Sequence, residues 1–226
     1  MVQMELDLHV HSRYSFDSIS NPEKILKIAR KKGLDGIAIT DHNTIKGGII
    51  ASQVNIKDFF TIIGSEIGTE AGDIIGLFLN EEIKSRTLLE VIDEIKAQDG
   101  IAVLAHPFRR ANEINDEVIK RIDVIEAFNA RNKKSANIMA KNLALKHNLP
   151  MIAGSDAHFY FEIGRARTII NADNHEISSI KRAILTNNTK LSGKESSYYI
   201  NLFSKSIRII KTRKLPERFR IWSKLK

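Results

Sequence analysis

Strand-like runs in this 226-residue chain end, one after another, in side chains that can bind metal ions. "LDLHVH" ends in His9 and His11, "GIAITDH" in Asp41 and His42, and "TIIGSE" in Glu66. "IAVLAH" ends in His106, and "MIAGSDAH" in Asp156 and His158. Of the seven histidines, only His147 and His175 depart from the habit; both fall in helix patterns and are expected at the surface. A lone histidine after a strand is ordinarily just hydrogen-bonded. The repetition matters because parallel strands of a barrel converge on one face at their C-terminal ends. So many carboxylates in one pocket repel unless cations neutralise them, and the pattern therefore predicts a metal cluster. Cysteine is absent, which excludes disulfides and thiolate ligands. Imidazole mixed with carboxylate suits manganese, iron or zinc. Two or three such ions acidify a bridging water and neutralise phosphoryl charge during in-line displacement.

The first of these strands sets an expectation of its own. Period-2 alternation places Leu6, Leu8 and Val10 on one face and Asp7, His9 and His11 on the other. On that register His9 and His11 are ligands, and Asp7 orients one of them from behind.

The elements that must position these residues alternate along the chain. "SNPEKILKIARKKG" has the signature of a helix, with Asn21 as N-cap, Pro22 at the first position and Gly33 at the end. "DGIAIT", "FFTIIGSEI" and "DIIGLFL" read as strands; "RTLLEVIDEIKAQDG" is a helix pattern leading into "IAVLAH". "VIKRI" precedes "DVIEAF", "SANIMAKNLALKHN" precedes "LPMIAGSD", and "ARTII" is followed by the helix-like "HEISSIKRAILTNN". Apolar strands between helices predict a parallel sheet covered on both sides. No phosphate-cradling glycine pattern follows the first strand, which disfavours a dinucleotide-binding sheet and favours a barrel.

The composition, 42% hydrophobic and 27% charged, suits a single globular unit with a sizeable core. No run is long enough to span a bilayer and the N-terminus lacks the plan of a signal peptide, so a cytoplasmic protein is expected. The net charge of +8 resides in the last stretch: Lys205–Lys226 holds nine basic residues and one acid, and the preceding part is formally neutral. Residues 1–204 are read as the domain, and 205–226 as a basic tail, helical and packed on it through Phe219 and Trp222. Such a tail can recruit nucleic acid.

"DLHVHSRYSFDS", "ITDHNT", "GSEI", "LAHPFR" and "GSDAH", in that order, resemble the PHP (polymerase and histidinol phosphatase) domain family over residues 4 to about 170. The resemblance implies a distorted TIM-like (β/α)7 barrel with a two- or three-metal site at the strand C-termini. It implies one ion on His9, His11, Glu66 and Asp156, and a second on Glu66, His106 and Asp73. Asp73 stands in "GDIIG" where the family has a histidine in "GH-x-x-G". A third ion is implied on Asp17, His42 and His158. Asp156 is implied to be catalytic, taking a proton from a metal-bridging water.

Arginines follow several strand ends. Arg109, Arg131 and Arg165 are candidates for binding a substrate phosphate, with Arg110 and Arg167 beside them. Asn129 is a candidate contact or turn-closer, and Asp41 a hydrogen-bonding partner at its strand end. The leading functional expectation is a phosphatase acting on a phosphomonoester, a nucleotide or a metabolite such as histidinol phosphate. The alternatives are a nuclease trimming RNA or DNA ends, and a non-catalytic barrel subunit of an RNA-processing assembly.

Overall fold

The computed structural model describes residues 1–109, 114–196, 203–204 and 206–211. Arg110, and the tail beyond Lys211 with Phe219 and Trp222, lie outside the described residues. The chain runs β1 (Val2–Val10), α1 (Pro22–Lys31), β2 (Gly36–His42), α2 (Lys46–Ser52), β3 (Phe60–Thr69), β4 (Gly72–Leu77) and α3 (Leu88–Ala97). It continues with β5 (Ile101–Leu104), α4 (Asp116–Arg121), β6 (Val124–Asn129), α5 (Lys134–His147), β7 (Met151–Gly154), β8 (Ala166–Ala172), α6 (Ile177–Leu185) and β9 (Thr189–Gly193). Residues 206–211 are again helical.

Local chemistry accounts for the boundaries. The Asn21 side chain accepts from the Lys24 N–H at 3.2 Å, Pro22 opens α1, and Ile25, Leu26 and Ala29 form its buried stripe. Past its C-cap, Gly33 takes φ +78°, the left-handed conformation that ends a helix most cheaply in glycine.

One sheet holds all nine strands in the order β7-β6-β5-β4-β3-β2-β1-β8-β9. It is nearly closed. Past β7, the Asp156 N–H donates to the His9 carbonyl at 2.8 Å, and the His11 N–H donates to the Ala157 carbonyl at 2.9 Å. The first and last parallel strands are thereby drawn together into a barrel. Inside its curl, Met4, Leu6, Leu8, Ala38, Ile62, Ile75, Val103, Val124, Ile152 and Ile170 pack as one cluster drawn from eight strands.

Two expectations are corrected. The sheet is not parallel throughout: β3–β4, β4–β5, β1–β8 and β8–β9 are antiparallel. Thr69 pairs directly with Gly72, so only two residues join β3 to β4, and a parallel crossover needs about a dozen. The second correction concerns β1. Its register against β2 shifts between Asp7 and Val10, where Asp7 pairs with Ile37 and Val10 with Ile39. An extra residue there reverses the side-chain parity. Val10 packs with Ile37, Ile39 and the buried stripe of α1, outside the barrel. Asp7 shares that outer face, whereas the bulge turns His9 and His11 inward, above Leu6 and Leu8. Among the described residues, no helix is long and apolar enough to cross a membrane.

Candidate metal centre

All nine predicted ligands come together at the end of the barrel where β1, β2, β3, β5 and β7 finish. They form four overlapping groups whose donor atoms lie within 4.8 Å of one another: His11, Asp17, His42 and His158; His9, His106 and Asp156; His9, His11 and Glu66; and Glu66, Asp73 and His106. His147 and His175 belong to none of these groups, His175 being exposed.

Glu66 is the hub. Its Oε1 lies 2.7 Å from His106 Nε2, and its Oε2 lies 3.1 Å from His42 Nδ1, 3.3 Å from His11 Nε2 and 3.5 Å from His9 Nε2. Asp156 Oδ1 is 3.3 Å from His11 Nε2 and 3.5 Å from His158 Nδ1. Asp17 Oδ2 bridges His158 Nε2 at 3.0 Å and His42 Nε2 at 3.3 Å. Asp156 and His106 both have positive φ, 55° and 29°, an uncommon conformation for residues other than glycine that aims each side chain off its strand end.

The residues behind the cluster set the imidazole tautomers. His9 Nδ1 donates to Glu126 Oε1 at 2.8 Å, and His158 Nδ1 to the Asp156 carbonyl at 2.9 Å. His11 Nδ1 donates at 2.9 Å to the Ser15 hydroxyl, which donates in turn to Asp41 Oδ1 at 3.0 Å. Each outer nitrogen therefore carries a proton, and the Nε2 atoms of His9, His11 and His158 face the cluster, where loss of a proton gives a lone pair to a cation.

The orienting role that strict alternation predicts for Asp7 belongs to Glu126. Asp7 accepts backbone N–H groups instead, from Ser155 at 2.9 Å and Gly164 at 2.8 Å, and so clamps the loop that carries Asp156. Burial raises its carboxyl to about 6, against those hydrogen bonds. Glu126 was legible in principle: "DVIEAF" sets a carboxylate inside an apolar strand, where an acid is expected only with partners. Its Oε2 accepts from the His106 N–H at 2.9 Å and from Asn129 Nδ2 at 3.0 Å. Gly154 makes room for this pair, since a Cβ there would collide with the His9 Cβ and lie 2.7 Å from Glu126 Oε1. Glu126→Gln, which removes charge and keeps shape, is expected to weaken metal binding by about 10- to 100-fold, measured by Mn²⁺ titration. Unchanged affinity would refute the role given to Glu126.

Electrostatics bind the cluster together. Burial opposes charge on His9, but Glu126, Asp156 and Glu66 outweigh it and raise the imidazole well above its ordinary range. Burial likewise opposes charge on His11, yet hydrogen bonds with Asp156 and Glu66 lift it to about 9. Burial pushes the carboxyls of Glu66, Asp156 and Asp17 upward. The facing groups outweigh it: His42 and His9 for Glu66, Arg109 and His9 for Asp156, and the charge interaction and hydrogen bonds with His158 and His42 for Asp17. All three carboxyls are held well below the carboxylate range. His158 is lowered, by burial first and then by His11.

The arginines divide. Arg109 reaches the site, donating to Asp156 Oδ2 at 2.6 Å, Asn129 Oδ1 at 2.8 Å and Asn132 Oδ1 at 3.0 Å. Arg131 is committed elsewhere: it grips Glu162 bidentately at 2.9 and 2.8 Å and is 6% exposed. Arg165 donates to the Glu195 carbonyl and Arg167 to Glu5.

The donor set fits metal ions. The Nε2 atoms of His9 and His11 lie 3.0 Å apart, a separation at which two lone pairs need a proton or a cation between them. Among the described residues, Asp17 Oδ1 is buried without a hydrogen-bond partner, as a carboxylate oxygen kept for a cation is. Glu66, Asp73 and His106 form one group as the resemblance implies; His11 joins Asp17, His42 and His158, and Asp156 groups with His9 and His106 rather than with His11 and Glu66.

Comparison with known proteins bears on the same residues. The PHP domain profile matches residues 7–97, and a PHP-associated profile matches residues 134–189. An uncharacterized protein of Methanocaldococcus jannaschii is 39% identical over 175 residues, 72% of this chain and 69% of that protein. A probable histidinol-phosphatase of Thermotoga maritima is 25% identical over 210 residues, covering 79% of this chain and 88% of the relative. Among solved structures, a two-domain protein of Bacteroides vulgatus containing a predicted PHP-like metal-dependent phosphoesterase superposes with a TM-score of 0.75 at 22% identity. That match covers 85% of this chain and 65% of the other, so this chain spans less than two thirds of it. A lesion-specific endonuclease of Pyrococcus furiosus superposes with a TM-score of 0.63 at 18% identity, over 84% of this chain and 58% of that one. At these identities the structural likeness establishes the fold.

Proposed function

The chain belongs to the PHP domain family, and on that footing we propose that it is a metal-dependent phosphoesterase whose substrate is a phosphomonoester. One observation carries the reading: nine donors, Asp73 from the start of β4 and eight from five strand ends and the loops after them, form overlapping groups around Glu66, His9 and His11, with imidazole nitrogens turned inward by a second layer of hydrogen bonds. Bound at those donors, two or three divalent ions would acidify a water molecule and neutralise phosphoryl charge.

The chain's own residues divide the remaining work. Asp156 is held ionised by Arg109 and His9, which suits a ligand and makes it a weak base. As the proton acceptor it would work only on a water that bound ions had already acidified. Arg109 is 27% exposed beside it, so its guanidinium can take a phosphate oxygen while Asn129 and Asn132 hold it in place. Arg131, buried against Glu162, serves the architecture instead.

A nuclease reading draws on one feature of the rim. The Arg208 guanidinium lies 5.0 Å above the Phe16 ring, which stacks on His42 at 4.4 Å, so a cation stands beside the pocket. A purely scaffolding barrel has no use for the converging donors. The deciding experiment is elemental analysis of chelator-free protein followed by a panel of phosphomonoesters, phosphodiesters and oligonucleotides with added Mn²⁺. The expected result is more than one ion per chain and hydrolysis of monoesters. A folded protein that takes up no Mn²⁺ or Zn²⁺ at micromolar concentration would sink the proposal, and a ladder on labelled RNA or DNA without monoester turnover would favour the nuclease.

A further inference from the structure

We propose that Lys211 is a positioning residue for the Asp17–His42–His158 part of the cluster, which makes the C-terminal helical segment a built-in wall of the site. The Lys211 ammonium donates to the carbonyls of Arg13 at 2.8 Å, Ser15 at 2.5 Å and Ser18 at 2.8 Å. An ammonium has three N–H donors, and all three are spent on the loop between β1 and α1. That loop carries Asp17, whose Oδ2 reaches both His42 and His158.

From within the barrel mouth, the Ser18 hydroxyl lies within hydrogen-bonding distance of the carbonyls of His11 and His158, at 3.0 and 2.8 Å. The loop is thus fixed on one side to two ligand-bearing strand ends and on the other to a lysine 193 residues away. The device occurs twice. Lys32 Nζ donates to the carbonyls of Tyr160, Phe161 and Ile163 and so holds the loop that begins at His158. Each loop bearing a ligand of this subsite is tied by one ammonium.

The other end of the segment reaches the second loop as well. Ser204 Oγ accepts from Arg131 Nη2 at 2.8 Å; Arg131 grips Glu162, and Glu162 Oε2 accepts the His158 N–H at 3.0 Å. Ser204 and Lys211 therefore touch the supports of His158 and Asp17 respectively. Both lie beyond the profile matches, which end at residues 97 and 189.

The inference rests on the reading of the cluster as a metal site, and its test separates the two. Full-length Lys211→Met and wild type are loaded with Co²⁺ or Mn²⁺ at fixed free concentration. Bound metal is measured by elemental analysis, and Co²⁺ coordination by visible absorption. Ile210→Ala, at a half-exposed position on the same helical segment, is the control. The expected result is that Lys211→Met loses one ion and its share of the Co²⁺ spectrum, with about tenfold weaker binding at that position. Ile210→Ala should match wild type. Because coupling is reciprocal, metal should slow amide exchange over residues 206–211 in wild type. If wild type binds ions and Lys211→Met binds them equally, with only a lower melting temperature, Lys211 is an ordinary staple and the proposal falls alone. If wild type binds none, the metal reading falls and takes the proposal with it. Should the variant not fold, amide exchange in wild type decides, and exchange indifferent to metal overturns the coupling.

Discussion

The Glu66→Ala protein is expected to lose phosphoester hydrolysis by at least about a thousandfold and to retain no more than one metal ion per chain. Among the described residues Glu66 alone faces His9, His11, His42 and His106 together, so its removal strips a ligand from two adjoining groups of donors. The fold should survive. The barrel interior below the site is an apolar cluster drawn from eight strands and does not depend on the carboxylate. His147→Ala and His175→Ala, which also delete an imidazole, should leave turnover and metal content unchanged, because neither residue joins the cluster. The measurements are kcat/KM on a chromogenic phosphomonoester, elemental analysis and circular dichroism. Comparable losses in Glu66→Ala and His147→Ala would mean that the pocket has been misplaced.

The donors were legible because chemistry and topology coincide in the chain: polar residues that interrupt apolar runs at the same point, strand after strand, mark the converging ends of a barrel. The barrel itself was legible from apolar strands alternating with helices. Strand direction was not, because hydropathy carries no sign for it. The deciding residues were Glu70 and Ala71, too few between β3 and β4 to admit a crossover.

The β1 bulge was hidden for a related reason. Strict alternation groups Asp7 with His9 and His11, and a shift in register against β2 leaves no mark in composition. It separated a backbone clamp from two ligands that looked equivalent. Among the arginines, charge and position past a strand end were shared by Arg109 and Arg131, and only tertiary structure distinguished them. Glu162, four residues after His158, claims Arg131, while Asn129 and Asn132 leave Arg109 aimed at Asp156. Lys211 carried no signal beyond the charge of its tail.

Stability should respond to metal more strongly as pH rises. In the metal-free protein His11 titrates near 9 rather than 6.5, and His9 is raised as well, because both sit among carboxylates. A group whose folded pKa is raised contributes stability that is complete below its unfolded value and lost as pH climbs through the folded one. The metal-free fold should therefore weaken between about pH 6.5 and 9. Glu66, Asp156 and Asp17, held low in the fold, work in the other direction: their contribution is present above the ordinary carboxylate range and lost in acid. Metal ions occupy the same nitrogens as the protons, so loading must release protons and becomes easier at higher pH. One ion at 100 times its Kd adds about 2.7 kcal/mol, which for a domain of this size is roughly 5–10 °C in Tm. Calorimetry at pH 6.0, 7.0, 8.0 and 8.5, with EDTA or with Mn²⁺, should show a Tm difference that widens at each step, the EDTA curve falling while the metal curve holds. A difference that is constant or narrows with pH would show that protons and metal do not compete for His9 and His11, and the inward-facing imidazoles would need another explanation.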